Sequence, residues 1–424
     1  LKRRPSFALL LATLALAACT GQSPNQTSTG ALPPMLGGSS ALPPPPGKTA
    51  GPVAVLLPLT GSMAPVGQVL ANAVKLAFPN DGSGAVLDIR DTGSTPPGAA
   101  AAAQAAIAAG DGMILGPLTS AEAHAVAPVA QAANVNVLAF TNDSSAAAPG
   151  FWTLGISPTQ QVQRIVQVAA DNGRTQLAAL LPDNDFGHSL ATALSTQTSA
   201  LSEPGPAITF YESGFANLNQ SIKQLADFAD RGQALEDKIK AAQQDNTPTG
   251  RQTLRDLQRQ QIPPPAFNAL FIGATDGDEL SEIATFLPYY AVNPPQVQIL
   301  GPALWSSLAT RMADNAVLNG ALFAAPDPAA AQAFVAKYTA TYGAAPPAIA
   351  DVAFDAAAIA KLAGTNGGYT AAVLADPSGF TGTDGVLELL PDGQVLRGLA
   401  VLQVAPGGPT VASPAPTQLA PPSS

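Results

Sequence analysis

The sequence has one cysteine, Cys19, and two histidines, His124 and His188, in 424 residues. A disulfide framework is therefore excluded, and so is a zinc site built from several Cys and His ligands. HExxH and CxxC are missing, as are a GxGxxG following a strand and a GKS/T loop, which removes the usual signatures of metalloproteases, redox dithiols, dinucleotide sites and phosphate loops. Charge is sparse: 11% of residues are charged and the formal net charge is −10. That sign argues against nucleic acid or an anionic lipid surface as the main partner. Gly187-His188-Ser189 distantly resembles a nucleophile elbow, but six residues separate it from the strand ending at Leu181, and Ser189 reads as a residue opening a helix. His124 lies among Glu122 and small apolar residues with no ligand at i+4. No catalytic residue, metal or cofactor is expected, and the protein reads as a non-enzyme.

What is present begins with Lys2, Arg3 and Arg4 ahead of an apolar run from Phe7 to Ala18, closed by Leu16-Ala17-Ala18 before Cys19. Basic, apolar, then small is the order of a secretory signal. The run is far short of the ~20 residues that span a bilayer core. It resembles a bacterial lipoprotein signal, which implies that residues 1–18 are removed and that Cys19 carries the lipid. The protein would then work outside the cytoplasm, held to a membrane by acyl chains. Thr20 and Gly21 include no aspartate, the inner-membrane retention signal of that class, so the resemblance permits the outer membrane, facing the periplasm. Residues 19–51 are Pro, Ser and Gly rich, too polar to bury a core, and read as a disordered linker reaching roughly 100 Å when extended. The tail 407–424 has the same character and reads as disordered.

Between these ends, short β-branched or leucine runs alternate with alanine-rich helical stretches, the pattern of parallel sheets with crossover helices. Val53-Ala54-Val55-Leu56-Leu57 reads as the first strand, and Val66, Val69, Leu70, Ala73, Val74 and Ala77 form one helical stripe after it. The cycle continues through strands at 86–91, 112–116 and 135–140 and ends one lobe near Gly150. A second series, with strands at 177–181, 207–211, 269–273 and 297–300, forms another lobe. Two such lobes leave a cleft, and ligands gather at the carboxyl ends of the strands. The polar, charged stretch 217–261 breaks the cycle and reads as a helical excursion from the second lobe. Its basic residues Arg231, Lys238, Arg251 and Arg255 are candidates for contact with a partner, although charged helical faces are commonly just solvated.

Two turns at adjacent strand ends carry hydroxyls: Gly116-Pro117-Leu118-Thr119-Ser120 and Thr141-Asn142-Asp143-Ser144-Ser145. A strand-to-helix turn exposes N–H groups where a carboxylate would sit, so Thr119, Ser120 and Thr141 are candidate ligand contacts, with ordinary helix capping as the competing reading.

Val53 to Gly61 followed by Val66-Gly67-Gln68, the turn Gly116–Ser120, Leu180-Leu181-Pro182-Asp183-Asn184-Asp185-Phe186-Gly187, and Ala348 to Ala358 with Asp351 and Phe354-Asp355 resemble, in order, type I periplasmic-binding folds of the leucine-isoleucine-valine-binding superfamily. The resemblance implies an α/β, two-lobed fold, each lobe a doubly wound, mainly parallel sheet flanked by helices. Residues 52–150 and 325–376 would form lobe 1, and 151–324 and 377–406 lobe 2, with 217–261 the insertion. Amino-acid receptors of ABC importers in this superfamily imply a cleft of Ser62, Thr119, Ser120 and Thr141, with Phe186 in place of a common tyrosine and Asp276 as the acid facing an ammonium. Leu56-Leu57-Pro58-Leu59-Thr60-Gly61, Phe267 to Ile272, Leu287-Pro288-Tyr289-Tyr290, Gln298 to Gly301 and Leu304-Trp305 look more like the penicillin-binding-protein activator lipoproteins. That group implies protein contact with a peptidoglycan synthase as the function. The chain departs from it in carrying a short linker where the best-known member has a helical-repeat domain. A small amino-acid-like ligand in the cleft, and the importer receptor, remain the alternative.

Overall fold

Val53-Ala54-Val55-Leu56-Leu57 is wholly buried along its length, as a strand covered by helices on both faces must be. Each such Val or Leu contributes about 1.5–3 kcal/mol by leaving water. The computed structural model describes residues 47–48, 51–78 and 86–419. The expected signal, the lipidated Cys19 and nearly all of the 19–51 linker lie outside the described residues.

The first lobe runs β1 (Val53–Leu57), α1 (Ala64–Ala77), β2 (Leu87–Asp91), α2 (Pro96–Ala109), β3 (Met113–Leu115), α3 (Ser120–Ala132), β4 (Asn136–Ala139) and β5 (Phe151–Thr153). Its strands are all parallel, in the order β2-β1-β3-β4-β5. Alanine at the buried positions of α2 lets α3 pack closely beside it. Thr95 caps α2 by accepting from the Gly98 amide at 3.1 Å, and Gly110 ends it in the left-handed conformation.

The second lobe contains α4 (Pro158–Asp171), β6 (Leu177–Pro182), α5 (Asp185–Ala200), β7 (Ala207–Tyr211), α6 (Phe215–Leu225), α7 (Phe228–Gln244), α8 (Pro248–Gln258), β8 (Ala269–Ile272), α9 (Gly277–Tyr289), β9 (Gln298–Gly301), a 3-10 turn at Ala303–Ser307, α10 (Ala309–Met312) and β10 (Leu322–Ala325). The chain then returns to the first lobe through α11 (Pro328–Tyr342), α12 (Ala350–Thr365) and α13 (Ala371–Leu374), which bury Phe334, Ala353, Ala357 and Leu374 in the same core as Val53, Val55 and Leu57. Next come β11 (Phe380–Gly382), β12 (Gly385–Leu389) and β13 (Val395–Arg397), then β14 (Ala400–Gln403) and β15 (Thr410–Ser413). The second sheet has the order β15-β14-β10-β9-β8-β6-β7, parallel except at β14 and β15.

Four boundaries differ from the sequence expectation. The first sheet does not end near Gly150, because Phe151–Thr153 pairs in parallel with β4. α6 is a proper crossover helix that buries Leu218 and Ile222 in the second-lobe core, so the excursion is α7 and α8 rather than all of 217–261. β11, β12 and β13 form a separate antiparallel sheet whose Leu387, Leu389 and Val395 join the first-lobe core, so only β14 and β15 complete the second lobe. The tail is ordered where it is described: β15 pairs with β14, and Arg164 Nη2 donates to Ser413 Oγ at 2.7 Å and to the Pro414 carbonyl at 2.8 Å. Among the described residues no helix is long and apolar enough to cross a membrane.

Candidate functional site in the interlobe cleft

β3 and β4 deliver their carboxyl ends to the cleft. After β3, Gly116 at φ +83° approaches the Leu56 carbonyl so closely that a Cβ would lie 2.3 Å from that oxygen, which fixes where Leu118 and Thr119 emerge. Thr119 is the cap of α3. Its Oγ1 accepts from the Glu122 amide at 3.3 Å while Glu122 Oε2 accepts from the Thr119 amide at 3.2 Å, a reciprocal capping box. After β4, Thr141 Oγ1 accepts from the Asp143 amide at 3.1 Å.

These turns, the first turn of α5, the 3-10 turn after β9, the start of α12 and the β11–β12 turn enclose a cavity of about 440 Å³. Thr119, Ser120, Thr141 and Phe186 all line it, so the structure brings together four of the residues singled out in the sequence. A neighbouring cavity of about 610 Å³ shares Ser120, Asn142 and Phe186 with it. Ser62 is exposed in the β1–α1 turn and lines neither cavity. Asp276 also lines neither: it caps α9, accepting from the Asp278 and Glu279 amides at 2.9 and 3.0 Å. Those backbone hydrogen bonds, Glu279 foremost, hold its carboxyl below the ordinary range. The acid that the importer resemblance asks for is therefore a helix cap here.

The Thr119 and Ser120 hydroxyls are not free donors. A carboxylate can only accept, so Thr119 Oγ1, 3.1 Å from Glu122 Oε2, must donate to it, and Ser120 Oγ must donate to Asp143 Oδ2. Asp143 also accepts from the Ser145 hydroxyl at 2.6 Å and the Ser145 amide at 2.9 Å. Burial opposes its charge, but hydrogen bonds from Ser120, Ser145 and His124 outweigh burial and hold its carboxyl at about 2. His124 meets Asp143 at 3.1 Å and Ser145 Oγ at 3.3 Å through the same nitrogen, Nε2, so no Ser–His–Asp relay is formed. Ser189 Oγ donates to the Asp185 carbonyl at 2.8 Å within its own helix.

The site's strongest electrostatic feature escaped the sequence reading. Arg397, its side chain 1% exposed, lies 3.6 Å from Asp384 Oδ2 and 3.9 Å from Asp355 Oδ2. Asp355 Oδ1 also accepts from the Thr383 amide at 2.8 Å, and Arg397 Nη2 donates to the Leu154 carbonyl at 3.0 Å. Burial pushes the Asp355 carboxyl up to about 6 against the pull of Arg397. Asp351 and Asp384 line the 440 Å³ cavity. Burial, and the facing Asp384 carboxylate, raise Asp351 well above the ordinary range, and burial raises Asp384. A signal was available: Asp351 and Asp355 interrupt an alanine-rich helix, and Arg397 interrupts an apolar strand run.

Of the basic excursion residues, Arg231 is a structural anchor, donating to the Tyr290 carbonyl at 2.8 Å and to the Pro263 carbonyl. Lys238, Arg251 and Arg255 are exposed on α7 and α8.

Two α/β lobes joined by repeated crossings, with a lined cleft between them, define a two-lobed type I binding protein. The sequence matches the Periplasmic binding protein family over residues 52–409, and the chain belongs to that family. Its leucine-binding-like fold is that of periplasmic binding proteins. Among solved structures, the chain is similar to the C-domain of LpoA (YraM) from Haemophilus influenzae, described as a regulator of PBP1A, at 18% identity and TM-score 0.60, covering 85% of this chain and 100% of that one. It is also similar to a putative branched-chain amino acid ABC transporter protein from Rhodospirillum rubrum, at 17% identity and TM-score 0.66, covering 85% and 100%. Against full-length Haemophilus influenzae LpoA it covers 58% of that chain, at 19% identity and TM-score 0.60. No curated protein matches by sequence.

Proposed function

We propose that this chain is an exported, non-catalytic lipoprotein, held by Cys19 to the outer membrane, that regulates a peptidoglycan synthase by direct contact. The observation that carries the reading is the α7–α8 excursion. Among its residues only Ala242 and Gly250 are buried, so most of its surface serves no core of this chain. Arg231 ties its base to the lobe, while Lys238, Arg251 and Arg255 face solvent. The Pro, Ser and Gly rich composition of residues 19–51 suits reach from a membrane, and the likeness to a regulator of PBP1A is consistent in fold.

The test is a polymerisation and cross-linking assay with a bifunctional synthase from the same cell. The full chain is expected to raise its rate, and a variant with residues 232–258 replaced by a short Gly-Ser linker, which keeps the Phe228 and Arg231 anchors, is expected to lose most of that effect. No stimulation by the full chain sinks the reading; equal stimulation by the shortened variant removes the arm from it. The second reading, a solute receptor for an importer, is favoured by one observation, the 440 Å³ cavity where Thr119, Ser120, Thr141 and Phe186 converge.

A further inference from the structure

The cleft cavity is rich in acceptors and poor in donors. The hydroxyls of Thr119 and Ser120 are turned toward Glu122 and Asp143, leaving oxygen lone pairs as their outward chemistry. Asp351 and Asp384 line the same cavity. Asp384 is 2% exposed, and its Oδ1 has no hydrogen-bond partner within the protein. A buried carboxylate oxygen without a donor is costly unless something else supplies the hydrogen bond. Arg397 is the cation in contact with this cluster, and it already serves Asp355, Asp384 and the Leu154 carbonyl. Asp351, Asp355 and Asp384 outnumber it. The wall also carries apolar side chains, including Phe140, Ile156, Leu304, Ile349 and Val352.

We propose that the cleft is an amine site, in which Asp351 and Asp384 together receive the ammonium group of a small aliphatic amine whose hydrocarbon part packs against Phe140, Leu304, Ile349 and Val352. Burial opposes ionising both carboxyls at once, so in the empty site the pair retains one proton, which serves at most one acceptor oxygen and leaves the others for an ammonium with three N–H groups. The ammonium replaces that proton: its N–H groups donate to the Asp351 and Asp384 oxygens, and the displaced proton leaves to solvent. Asp355 and Arg397, the other charged groups facing the pair, keep their own ion pair and remain unchanged in charge. A carboxylate ligand has no comparable place, since the Thr119 and Ser120 hydroxyls already donate to Glu122 and Asp143, which leaves Thr141 as the hydroxyl donor of these turns, and Asp351 and Asp384 line the same cavity. The inference goes beyond the synthase reading and does not depend on it, because amine capture is read on the isolated protein.

The experiment is titration calorimetry on the full chain near neutral pH with 1-hexylamine and 1,5-diaminopentane, and with hexanol and hexanoate as neutral and anionic controls. Both amines are expected to bind at a single site, with release of about one proton when buffers of different ionisation enthalpy are compared. The controls should bind at least tenfold more weakly, about 1.4 kcal/mol. Asp351→Asn is the primary variant, because Arg397 keeps both its ion pairs, with Asp355 and Asp384, and it should weaken amine binding at least tenfold and abolish the proton release. Asp384→Asn should do the same if its circular dichroism spectrum shows a folded protein; if it unfolds, Asp351→Asn carries the test alone. No amine binding at millimolar concentration, hexanol binding as tightly as hexylamine, or unchanged affinity in Asp351→Asn would each overturn the proposal.

Discussion

Gly187 stands where the Pro182 carbonyl occupies the space a side chain would take: a Cβ there would lie 1.9 Å from that oxygen. The close approach of β6 to α5 sets the first turn of the helix and with it Phe186, which lines both cleft cavities. Gly187→Ala is expected to force the helix start away from the strand, destabilising the fold by about 1–3 kcal/mol and lowering the melting temperature by several degrees. Gly205→Ala, where a Cβ meets nothing within 4 Å and φ is not in the left-handed region, is the control and should stay within about 0.5 kcal/mol. Thermal denaturation of both variants decides it, and equal melting temperatures would refute the steric argument. At this scale the turn residues of the site were readable in advance. Thr119, Ser120 and Thr141 sit directly after strands, where local sequence alone predicts a turn and a cap. Asp351, Asp355 and Arg397 stand out singly as breaks in apolar runs, but their cluster with Asp384 was not readable, because its members meet only when α12, the β11–β12 turn and β13 are brought together. Asp276 misled for a related reason: an acid after a strand is equally the residue that caps the next helix, and only tertiary placement separates the two roles.

The elements show the same division between local and non-local signals. Wholly buried strands such as Val53–Leu57 and Ala269–Ile272 announce themselves as apolar runs, and both were placed from sequence within a residue or two. Thr410–Ser413 did not, because it is a short, largely exposed edge strand whose order comes from β14 and from Arg164. Pro391-Asp392-Gly393 is a turn sequence between two apolar runs, but the lobe that this hairpin joins is decided by where Leu387, Leu389 and Val395 are buried. The excursion is the element most separable from the fold. With Ala242 and Gly250 its only buried residues, replacing 228–258 by a short linker removes little apolar burial. Phe228 and Arg231 at its base are the exception, since Phe228 packs on the second-lobe core and Arg231 holds the Tyr290 carbonyl. A variant that keeps residues through Arg231 and shortens only the remainder is therefore expected to melt within about 1–2 °C of the parent, a shift of about 1 kcal/mol at most for a chain of this size. A loss of cooperative unfolding in calorimetry would mean that the arm is part of the fold after all.

Across the whole molecule, the crossings between lobes bring buried charge to the hinge. The chain passes over after β5, after β10 and after β13, and the first and last of these run side by side. Trp152 Nε1 donates to the Leu390 carbonyl at 2.7 Å, Arg397 Nη2 to the Leu154 carbonyl at 3.0 Å, and Arg164 Nε to the Leu399 carbonyl at 2.8 Å. Arg397 thus links a crossing segment to the acid cluster, and the protonation of that cluster becomes a property of global stability. Asp355 has its carboxyl raised to about 6, and Asp351 and Asp384 are raised as well, so the folded chain binds more protons than the unfolded chain once the pH exceeds the ordinary aspartate value of 3.8. Asp111, raised to about 6 mainly by burial, acts in the same direction. Stability from these groups is fully present below that ordinary value and is lost as pH rises through about 6. Asp143 works oppositely: held at about 2, it stabilises the fold above the ordinary value, and that contribution disappears as pH falls toward 2. The two trends predict a melting temperature that is highest in mildly acidic solution, near about pH 4–5, and declines on both sides. Asp355→Asn, which can still accept from the Thr383 amide, should flatten the decline between about pH 4 and 7, and Asp143→Asn should flatten the decline between about pH 4 and 2. Calorimetric scans across this range read both slopes. A melting temperature that climbs steadily from pH 4 to 7, unchanged by Asp355→Asn, would show that the hinge carboxyls are ionised at no cost and that the cluster does not control the stability of the fold.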